Sequence, residues 1–198
     1  MNLASHWALV PAKGFVRAKS RLVPALGDPL REVFAQGLLE HVLRTLLSVR
    51  ELDGVIVLTD DDEVGAYASQ FGCSVLRDPA QAAIGEVVDA GLRHATQLGA
   101  QVAFVCMADL PWITADEVQS LLAEARQHDI VVVPDTREYG TNALCLTPPL
   151  ALDSTCFGQG KSFEAHLQKA REAQRKVAVF RMRGLCFDVD DPDDLELC

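Results

Sequence analysis

Apolar residues along the chain form short runs, separated by longer segments with a helical period. The runs are rich in Val, Ile, Leu and Phe, which is typical of buried strands. We predict eight strands, at Trp7–Pro11, Val55–Thr59, Ser74–Leu76, Val102–Met107, Ile130–Pro134, Ala143–Thr147, Val177–Met182 and Leu185–Val189. About five helices lie between them. This alternation predicts an α/β three-layer sandwich with a mostly parallel sheet, and the closer spacing of the later strands predicts an antiparallel extension.

Two of the predicted helices have clear signals in the sequence. The segment Leu30–Leu47 carries a stripe of apolar residues with a helical period, and we expect it to pack on the first strand. The stripe consists of Val33, Phe34, Leu38, Val42, Leu43, Leu46 and Leu47. Further along, Thr114 and Glu117 have the spacing of a capping box, which predicts a helix that begins there and runs to about His128.

Composition narrows the class of protein. A chain of 198 residues suits a single domain, residues 1–198. With 18 basic and 28 acidic residues its net charge is -10, which argues against nucleic acid or an anionic membrane as a partner. Its six cysteines form no Cys-x-x-Cys pair, so zinc and redox motifs are unsupported. The start lacks a signal-peptide pattern and no apolar run approaches the ~20 residues of a membrane span, so we expect a cytoplasmic protein.

A cluster of cations follows the first predicted strand. Four basic residues occur within nine positions, at Lys13, Arg17, Lys19 and Arg21. Ligands of open α/β sheets bind beyond the carboxyl ends of the strands, where Lys13, Lys19 and Arg21 could neutralise a triphosphate. The alternative is a solvated basic loop. We favour the phosphate site because the rest of the chain is acidic.

Aspartates follow two of the predicted strands. Asp109 comes after Val102–Met107. Asp188 lies at the end of Leu185–Val189, and Asp190 directly follows that run. Side chains two residues apart on a strand share one face, so the last two are candidates for binding one ion. Clustered carboxylates repel and raise a pKa unless a cation such as Mg²⁺ neutralises them. The alternatives are a turn that begins at Asp109 and a solvated acidic C-terminus.

Two loops that contain glycine add candidate contacts. Tyr139–Leu144 precedes a strand, and Phe157–His166 joins a flexible backbone to a helix N-terminus, which is a natural anion site. The second loop lacks the spacing of a phosphate-binding P-loop. Ser162 is alternatively the N-cap of that helix, and we interpret His166 as a buried core histidine.

Six short motifs occur in order along nearly the whole chain. They are Pro-Ala-Lys, Ala-Lys-Ser-Arg-Leu, Ala-Asp-Leu-Pro, Gly-Thr-Asn-Ala-Leu, Phe-Gly followed by Ser-Phe-x-x-His, and Asp-Val-Asp-Asp-Pro-x-Asp-Leu. On these motifs the chain resembles the 2-phospho-L-lactate and phosphoenolpyruvate guanylyltransferase family. The resemblance implies a Rossmann-like central sheet of the nucleotide-diphospho-sugar transferase type. It also implies that GTP is joined to 2-phospho-L-lactate, phosphoenolpyruvate or 3-phosphoglycerate, with release of pyrophosphate, in coenzyme F-420 biosynthesis.

The resemblance assigns roles to individual residues. A metal site for Mg²⁺, with two ions expected, is implied at Asp109, Asp188 and Asp190. A triphosphate site, catalytic together with Asp109, is implied at Lys13, Lys19 and Arg21. An acceptor site is implied at Thr141, Gly158 and Ser162. Since the acceptor phosphate is already anionic, no general base is required, and catalysis rests on alignment and charge neutralisation.

Two positions depart from the family's pattern. Asp89 stands where the family usually has an asparagine near the nucleotide, so its carboxylate could accept the N1 and N2 protons of guanine or could repel phosphate. Gly158 lies four residues before Ser162, one more than is usual, so the acid pocket and its acceptor are expected to differ.

Two other functions stay open from the sequence. One is a molybdenum cofactor or sugar-phosphate nucleotidyltransferase, although the Leu-Ala-Gly-Gly-x-Ser/Thr opening of those relatives is missing. The other is a non-catalytic nucleotide-binding regulator, which the three aspartates argue against. The expected partners are GTP and a phosphorylated small acid. A homodimer, and contact with the enzyme that takes the labile product, are left open.

Overall fold

A computed structural model describes residues 5–77 and 82–198. Within these residues, seven strands form one sheet in the order β3-β2-β1-β4-β6-β5-β7. The strands are β1 His6–Pro11, β2 Gly54–Thr59, β3 Ser74–Arg77, β4 Val102–Cys106, β5 Ile130–Pro134, β6 Thr141–Leu146 and β7 Val177–Val179. The first seven predicted strands are therefore confirmed, with small shifts at their ends.

Only β6 runs against the direction of the other strands in this sheet. β1 pairs in parallel with β2 and β4, β2 with β3, and β5 with β7. β6 is antiparallel to both of its neighbours, β4 and β5. Because Cys106 of β4 pairs with Ala143 of β6, the end of β4 and the beginning of β6 lie at the same edge of the sheet. That edge also holds the carboxyl end of β1.

Helices cover both faces of the sheet. They are α1 Val23–Ser48, α2 Asp62–Ser69, α3 Ile84–Gln97, α4 Ala115–Glu124, α5 Ser162–Glu172, α6 Arg183–Cys186 and α7 Pro192–Leu195, with a 3-10 turn at Ser20–Leu22. Apolar side chains of α1, α2 and α4 pack on one face, and those of α3 and α5 pack on the other. Burial on both faces explains the unbroken apolar character of β1, where Ala8, Leu9 and Val10 are fully buried. The predicted three-layer α/β fold is confirmed.

Helix α1 contains the predicted helix Leu30–Leu47 and begins earlier. Gly27 has a φ of 68°, a left-handed conformation that kinks the helix near its start and that glycine adopts readily. The predicted stripe is buried at Leu38, Val42, Leu43 and Leu46. It is exposed at Val33 and Leu47, so the buried face is narrower than predicted.

The eighth predicted strand, Leu185–Val189, is wrong. Residues Arg183–Cys186 form α6, and residues 187–190 have no regular secondary structure. Leu185, Phe187 and Val189 are buried nonetheless. Their alternation imitates a strand because a short helix and the irregular segment after it each turn apolar side chains into the core.

Two predicted elements are shorter in the structure. β7 ends at Val179, although the backbone N–H of Phe180 still donates to Val132. Helix α4 has the predicted capping box, in which Thr114 accepts from the backbone N–H of Glu117, but it ends at Glu124. In residues 5–77 and 82–198, no helix combines the length and the apolar character that crossing a membrane requires.

Candidate active site

A cavity of about 380 Å³ opens at the sheet edge where β1 and β4 end. Its lining includes Lys13, Lys19 and Arg21 from the loop after β1, together with Asp109 and Asp190. β1 and β4 are adjacent and parallel, so their carboxyl ends bring the basic loop close to Asp109. The cations and aspartates that the sequence singles out thus share one edge, and their binding roles stay predictions.

Three carboxylates converge at this edge. One oxygen from each of Asp109, Asp188 and Asp190 lies within 4.8 Å of the other two. The backbone N–H of Val189 donates to the carbonyl of Asp109 at 3.3 Å, which aligns the segment after α6 with the end of β4. The predicted strand Leu185–Val189 does not form. The irregular segment after α6 nevertheless brings the carboxylates of Asp188 and Asp190 close to that of Asp109.

The environment of Asp109 suits a cation. Its Oδ1 atom is buried and accepts no hydrogen bond from the described part of the chain. A buried carboxylate oxygen without a partner is costly, and a metal ion removes that cost. Carboxylate oxygens are the ligands that hard divalent cations such as Mg²⁺ prefer. The chemistry of this group therefore fits the predicted metal.

Lys19 supplies a positive charge within the cluster. Its ammonium group contacts the carboxylate of Asp109 and lies 2.9 Å from Oδ1 of Asp190. Burial disfavours the charged amine, but the two carboxylates outweigh it and raise the pKa of Lys19. Lys19 has a φ of 53°, a left-handed conformation that turns the chain just before the 3-10 turn. Lys19 is thus a charged member of the aspartate cluster.

The carboxylate of Asp188 is hydrogen-bonded to Asn142. The side-chain amide of Asn142 donates to Oδ1 of Asp188 at 3.1 Å and to the carbonyl of Cys186 at 3.0 Å. Burial, and then the charge of Asp109, raise the pKa of Asp188 to about 7, against the opposing effect of Asn142. Asn142 lies within the Gly-Thr-Asn-Ala-Leu motif, but no local pattern in the sequence assigns it a role.

The remaining cations of the loop differ in their surroundings. Lys13 lines both this cavity and a neighbouring one. Arg17 forms an ion pair with Asp60, which follows β2. Arg21 is 74% exposed, and its Nη1 lies 3.8 Å from Oδ2 of Asp190. Arg21 is therefore free to reach a ligand, whereas Arg17 is partly engaged.

A fifth basic residue, which sequence reasoning missed, fixes this loop. Arg31 of α1 is only 2% exposed. Its guanidinium donates to the carbonyl of Phe15 at 2.9 Å and to the carbonyl of Ala18, and it lies 3.1 Å from Oδ1 of Asp28. Arg31 therefore ties the backbone of the basic loop to the first helix. A helical pattern alone does not distinguish such an arginine from one on a solvated face.

Three contacts fix the segment that carries Asp188 and Asp190. The Oε1 atom of Glu117 accepts from the backbone N–H of Gly184 at 2.8 Å. The ring of Trp112 stacks on Phe187 with centroids 3.9 Å apart, and the guanidinium of Arg183 lies 4.3 Å from the Trp112 ring. Glu117 thus both caps α4 and holds α6. The capping box was recognisable in the sequence, but its second contact joins residues 67 positions apart.

The predicted acceptor residues Thr141 and Ser162 lie in a buried hydrogen-bond network. The hydroxyl oxygens of Thr141 and Ser162 are 3.3 Å apart, and Nδ1 of His166 is 3.0 Å from that of Thr141. Nε2 of His166 accepts from the backbone N–H of Cys156 at 2.8 Å. His166 is fully buried, as predicted. Ser162 is the first residue of α5, whose N-cap is Lys161, so the alternative that Ser162 is the N-cap is wrong.

A second cavity, of about 480 Å³, adjoins the first. Gly158, the third predicted acceptor residue, lines it with a φ of 79°, and a Cβ there would collide with Ile84. Asp89 is not among the described residues that line either cavity. Its Oδ1 atom instead accepts from the backbone N–H of Thr155 at 2.8 Å. The contact of Asp89 with a nucleotide stays a prediction.

Related sequences match nearly the whole chain. The family model described as "Guanylyl transferase CofC like" matches residues 6–197. A phosphoenolpyruvate guanylyltransferase from Sphaerobacter thermophilus is 39% identical over 189 residues, covering 96% of this chain and 90% of that protein. A 2-phospho-L-lactate guanylyltransferase from Methanothermobacter thermautotrophicus is 30% identical over 188 residues, covering 95% and 81%.

Solved structures agree on the fold. A Desulfovibrio desulfuricans protein proposed to be a nucleotide-diphospho-sugar transferase matches with a TM-score of 0.81 and 16% identity, covering 98% of this chain and 86% of that one. This match confirms the fold type that the sequence resemblance implied. The guanylyltransferases named above confirm the enzyme class, a nucleotidyltransferase. The chain belongs to the family of CofC-like guanylyl transferases.

Proposed function

We propose that this protein is a Mg²⁺-dependent guanylyltransferase that transfers GMP from GTP to the phosphate of a small phosphorylated acid and releases pyrophosphate. The observation that carries the proposal is the convergence of Asp109, Asp188 and Asp190 beside the basic loop, with a buried Asp109 oxygen that lacks a partner. The relatives named above act on phosphoenolpyruvate or 2-phospho-L-lactate by name, so these acids, with 3-phosphoglycerate, are the proposed acceptors.

The three aspartates would hold Mg²⁺, which when bound neutralises phosphate oxygens and polarises the phosphorus that is attacked. Charge within the cluster supports one divalent ion. With all three carboxylates ionised and Lys19 protonated, the group carries a formal charge of −2. The single amine of Lys19 therefore leaves an uncompensated charge that a divalent cation matches.

Lys13 and Arg21 would bind the triphosphate in the first cavity. Both line it, and the exposed guanidinium of Arg21 can bind two phosphate oxygens at once. Arg31 contributes by fixing the backbone of the loop that carries these cations. Because its carbonyl contacts lie inside the loop, the loop keeps its shape without a ligand, so less ordering is required on binding.

The second cavity would take the nucleobase. Its described lining is mainly apolar, with Leu58, Ala83, Ile84 and Val87, and it shares Lys13 with the first cavity. A flat aromatic base suits such a surface, and the shared lysine links the base to its phosphates. Selection of guanine is proposed from the family, with Asp89 as the candidate that the sequence singled out.

The acceptor acid would bind near Thr141, Gly158 and Ser162, next to the proposed base cavity that Gly158 also lines, with its phosphate directed to the aspartate cluster. Thr141 is next to Asn142, which holds Asp188, so the two sites are connected through β6. The acceptor phosphate is an anion and needs no general base, so the chain's contribution is alignment and neutralisation. We further propose that the product serves coenzyme F-420 biosynthesis.

A substrate matrix tests this function. The purified protein is incubated with Mg²⁺, each of four nucleoside triphosphates and each of the three acids, and products are identified by mass spectrometry. We expect GTP and one of the acids to give a guanylylated acid and pyrophosphate. Absence of product with every pair would overturn the proposal.

Paired variants connect the reaction to the site. Asp188→Asn should lower turnover by more than about 100-fold, because even residues behind metal ligands change metal affinity or activity by about 10–100-fold. Asp193→Asn, an exposed neighbour in α7, is the matched control and should behave like the wild type. Equal turnover by the two variants would separate the activity from this metal site.

A further inference from the structure

We propose that His166 is a positioning residue that makes the hydroxyl pair of Thr141 and Ser162 a hydrogen-bond donor to a carboxylate. The inference rests on the proposed function only for the identity of that carboxylate, which would belong to the acceptor acid. The hydrogen-bond arrangement itself follows from contacts of described residues.

The tautomer of His166 follows from its two neighbours. A backbone N–H can only donate, so the contact of 2.8 Å from Cys156 requires an unprotonated Nε2. The ring is fully buried, and burial lowers the pKa of His166 to about 4, so the ring is neutral near pH 7. Its single proton must therefore be on Nδ1.

A protonated Nδ1 restricts what the hydroxyl of Thr141 can do. At 3.0 Å from Nδ1, the hydroxyl oxygen of Thr141 can accept from the ring but cannot donate to it. The other nitrogen is occupied by Cys156. Neither nitrogen of the His166 ring can therefore accept the hydroxyl hydrogen of Thr141.

One hydroxyl hydrogen of this pair therefore has no acceptor within the network. Thr141 and Ser162 share one hydrogen bond across 3.3 Å, and whichever of them donates, the hydrogen of the other remains. Neither hydroxyl has a further side-chain or backbone acceptor among residues 5–77 and 82–198. A bound group that accepts hydrogen bonds completes this network.

The location of the pair favours an anion. Ser162 is the first residue of α5, an eleven-residue helix whose N-terminal dipole stabilises negative charge. Thr141 is at the start of β6, at the same sheet edge as Asp109, because the backbone N–H of Met107 donates to the carbonyl of Asn142 at 2.9 Å. The acceptor's phosphate is required at the aspartates, so its carboxylate is the group left for these hydroxyls.

Nitrogen NMR of ¹⁵N-labelled protein tests the tautomer without any turnover. We expect a His166 ring that is protonated on Nδ1, unprotonated on Nε2 and unchanged from pH 5.5 to pH 8. A protonated Nε2, or a ring that titrates in this range, would overturn the inference. This measurement decides the arrangement even if the proposed acceptors are wrong.

Kinetics of variants test the consequence. His166→Leu should raise KM for the acid by about tenfold or more, with KM for GTP and kcat at saturation within about twofold. His166→Gln, which can both accept from Cys156 and donate to Thr141, should restore most of the loss, and Gln168→Leu on the exposed face of α5 is the control. Thr141→Val should act like His166→Leu. Equal rises in both KM values, or none for the acid, would refute the positioning role, whereas an inactive wild type would refute the proposed function.

Discussion

Gly184→Ala should disturb both the stability of the protein and its proposed metal site. A Cβ atom at Gly184 would overlap with the backbone oxygen of Trp112 and with Oε2 of Glu117. The backbone oxygen cannot rotate away, so α6 must move and its hydrogen bond to Glu117 must lengthen or break. Because α6 leads directly into the segment with Asp188 and Asp190, these proposed metal ligands should move with it.

The cost can be worked from these two contacts. Overpacking costs about 1–3 kcal/mol, and loss of a hydrogen bond to a charged group costs about 1.5–3 kcal/mol. Since one movement relieves part of both, we expect the free energy of unfolding to fall by roughly 2–5 kcal/mol. For a urea m-value of about 2 kcal/mol/M, this lowers the midpoint of unfolding by roughly 1–2.5 M.

The assay is urea denaturation of the two proteins, with Mn²⁺ binding measured by calorimetry under native conditions. Gly37→Ala is the matched control, because a Cβ at this exposed helical position meets nothing within 4 Å. The same chemical change should there raise the free energy of unfolding by about 0.5–1 kcal/mol. A Gly184→Ala protein within about 0.5 kcal/mol of wild type, with unchanged Mn²⁺ affinity, would refute this reasoning.

Three further predictions concern the charged groups of the site. Because the pKa of Asp188 is raised to about 7, protons should compete with Mg²⁺ for this carboxylate. The affinity of the protein for Mg²⁺, measured by calorimetry, should therefore fall about tenfold per pH unit below pH 7, and equal affinities at pH 6 and pH 8 would contradict this. The pKa of His166 falls from 6.5 to about 4 on folding, so the unfolded chain binds its proton more readily. Relative to His166→Gln, the free energy of unfolding should drop by about 2.5 kcal/mol between pH 6.5 and pH 4, and parallel curves would argue against it. Lys19→Met should lower kcat/KM for GTP by more than about 100-fold, because the Lys19 ammonium contacts two carboxylates of the proposed metal site. Arg21→Met should lower it by less than tenfold, because Arg21 is 74% exposed and solvent screens its charge. A larger loss for Arg21→Met than for Lys19→Met would contradict this order.

The sheet could be predicted from the sequence because its strands are buried on both faces. Continuous apolar runs such as Ile130–Pro134 are typical of strands that are covered on both faces, and the structure begins and ends β5 at the predicted residues. Leu185–Val189 was predicted wrongly for the same reason. Its apolar residues are buried, but by an irregular segment against Trp112, a contact that no local pattern reveals.

The aspartate cluster was predictable from an assumption that failed in detail. Asp188 and Asp190 were placed together by strand geometry, and the structure brings them to Asp109 without a strand. The three carboxylates converge nonetheless, because a carboxylate at the end of a buried run requires a compensating charge whether the run is a strand or an irregular segment. The charge of Lys19 inside the cluster was not foreseen, since the basic loop was interpreted only as a site for phosphate.

The supporting residues could not be found from the sequence. Asn142 reaches Asp188 across 46 positions, and Arg31 reaches the carbonyl of Phe15 across 16. Such contacts are made by tertiary packing, whereas periodicity and capping report only neighbours within a turn or a strand. His166 was correctly interpreted as buried, but its influence on Thr141 depends on which nitrogen faces Cys156.

Pyrophosphate release from GTP and the three phosphorylated acids, followed at increasing Mg²⁺, most directly tests whether the three aspartates form the metal site of a guanylyltransferase. We predict that release requires Mg²⁺ and GTP with one of the acids. Asp109→Asn should lower it by more than about 100-fold at any Mg²⁺ concentration, while Asp193→Asn leaves it unchanged. Release that is independent of Mg²⁺, or that persists in Asp109→Asn at the wild-type rate, would contradict the assignment of this site.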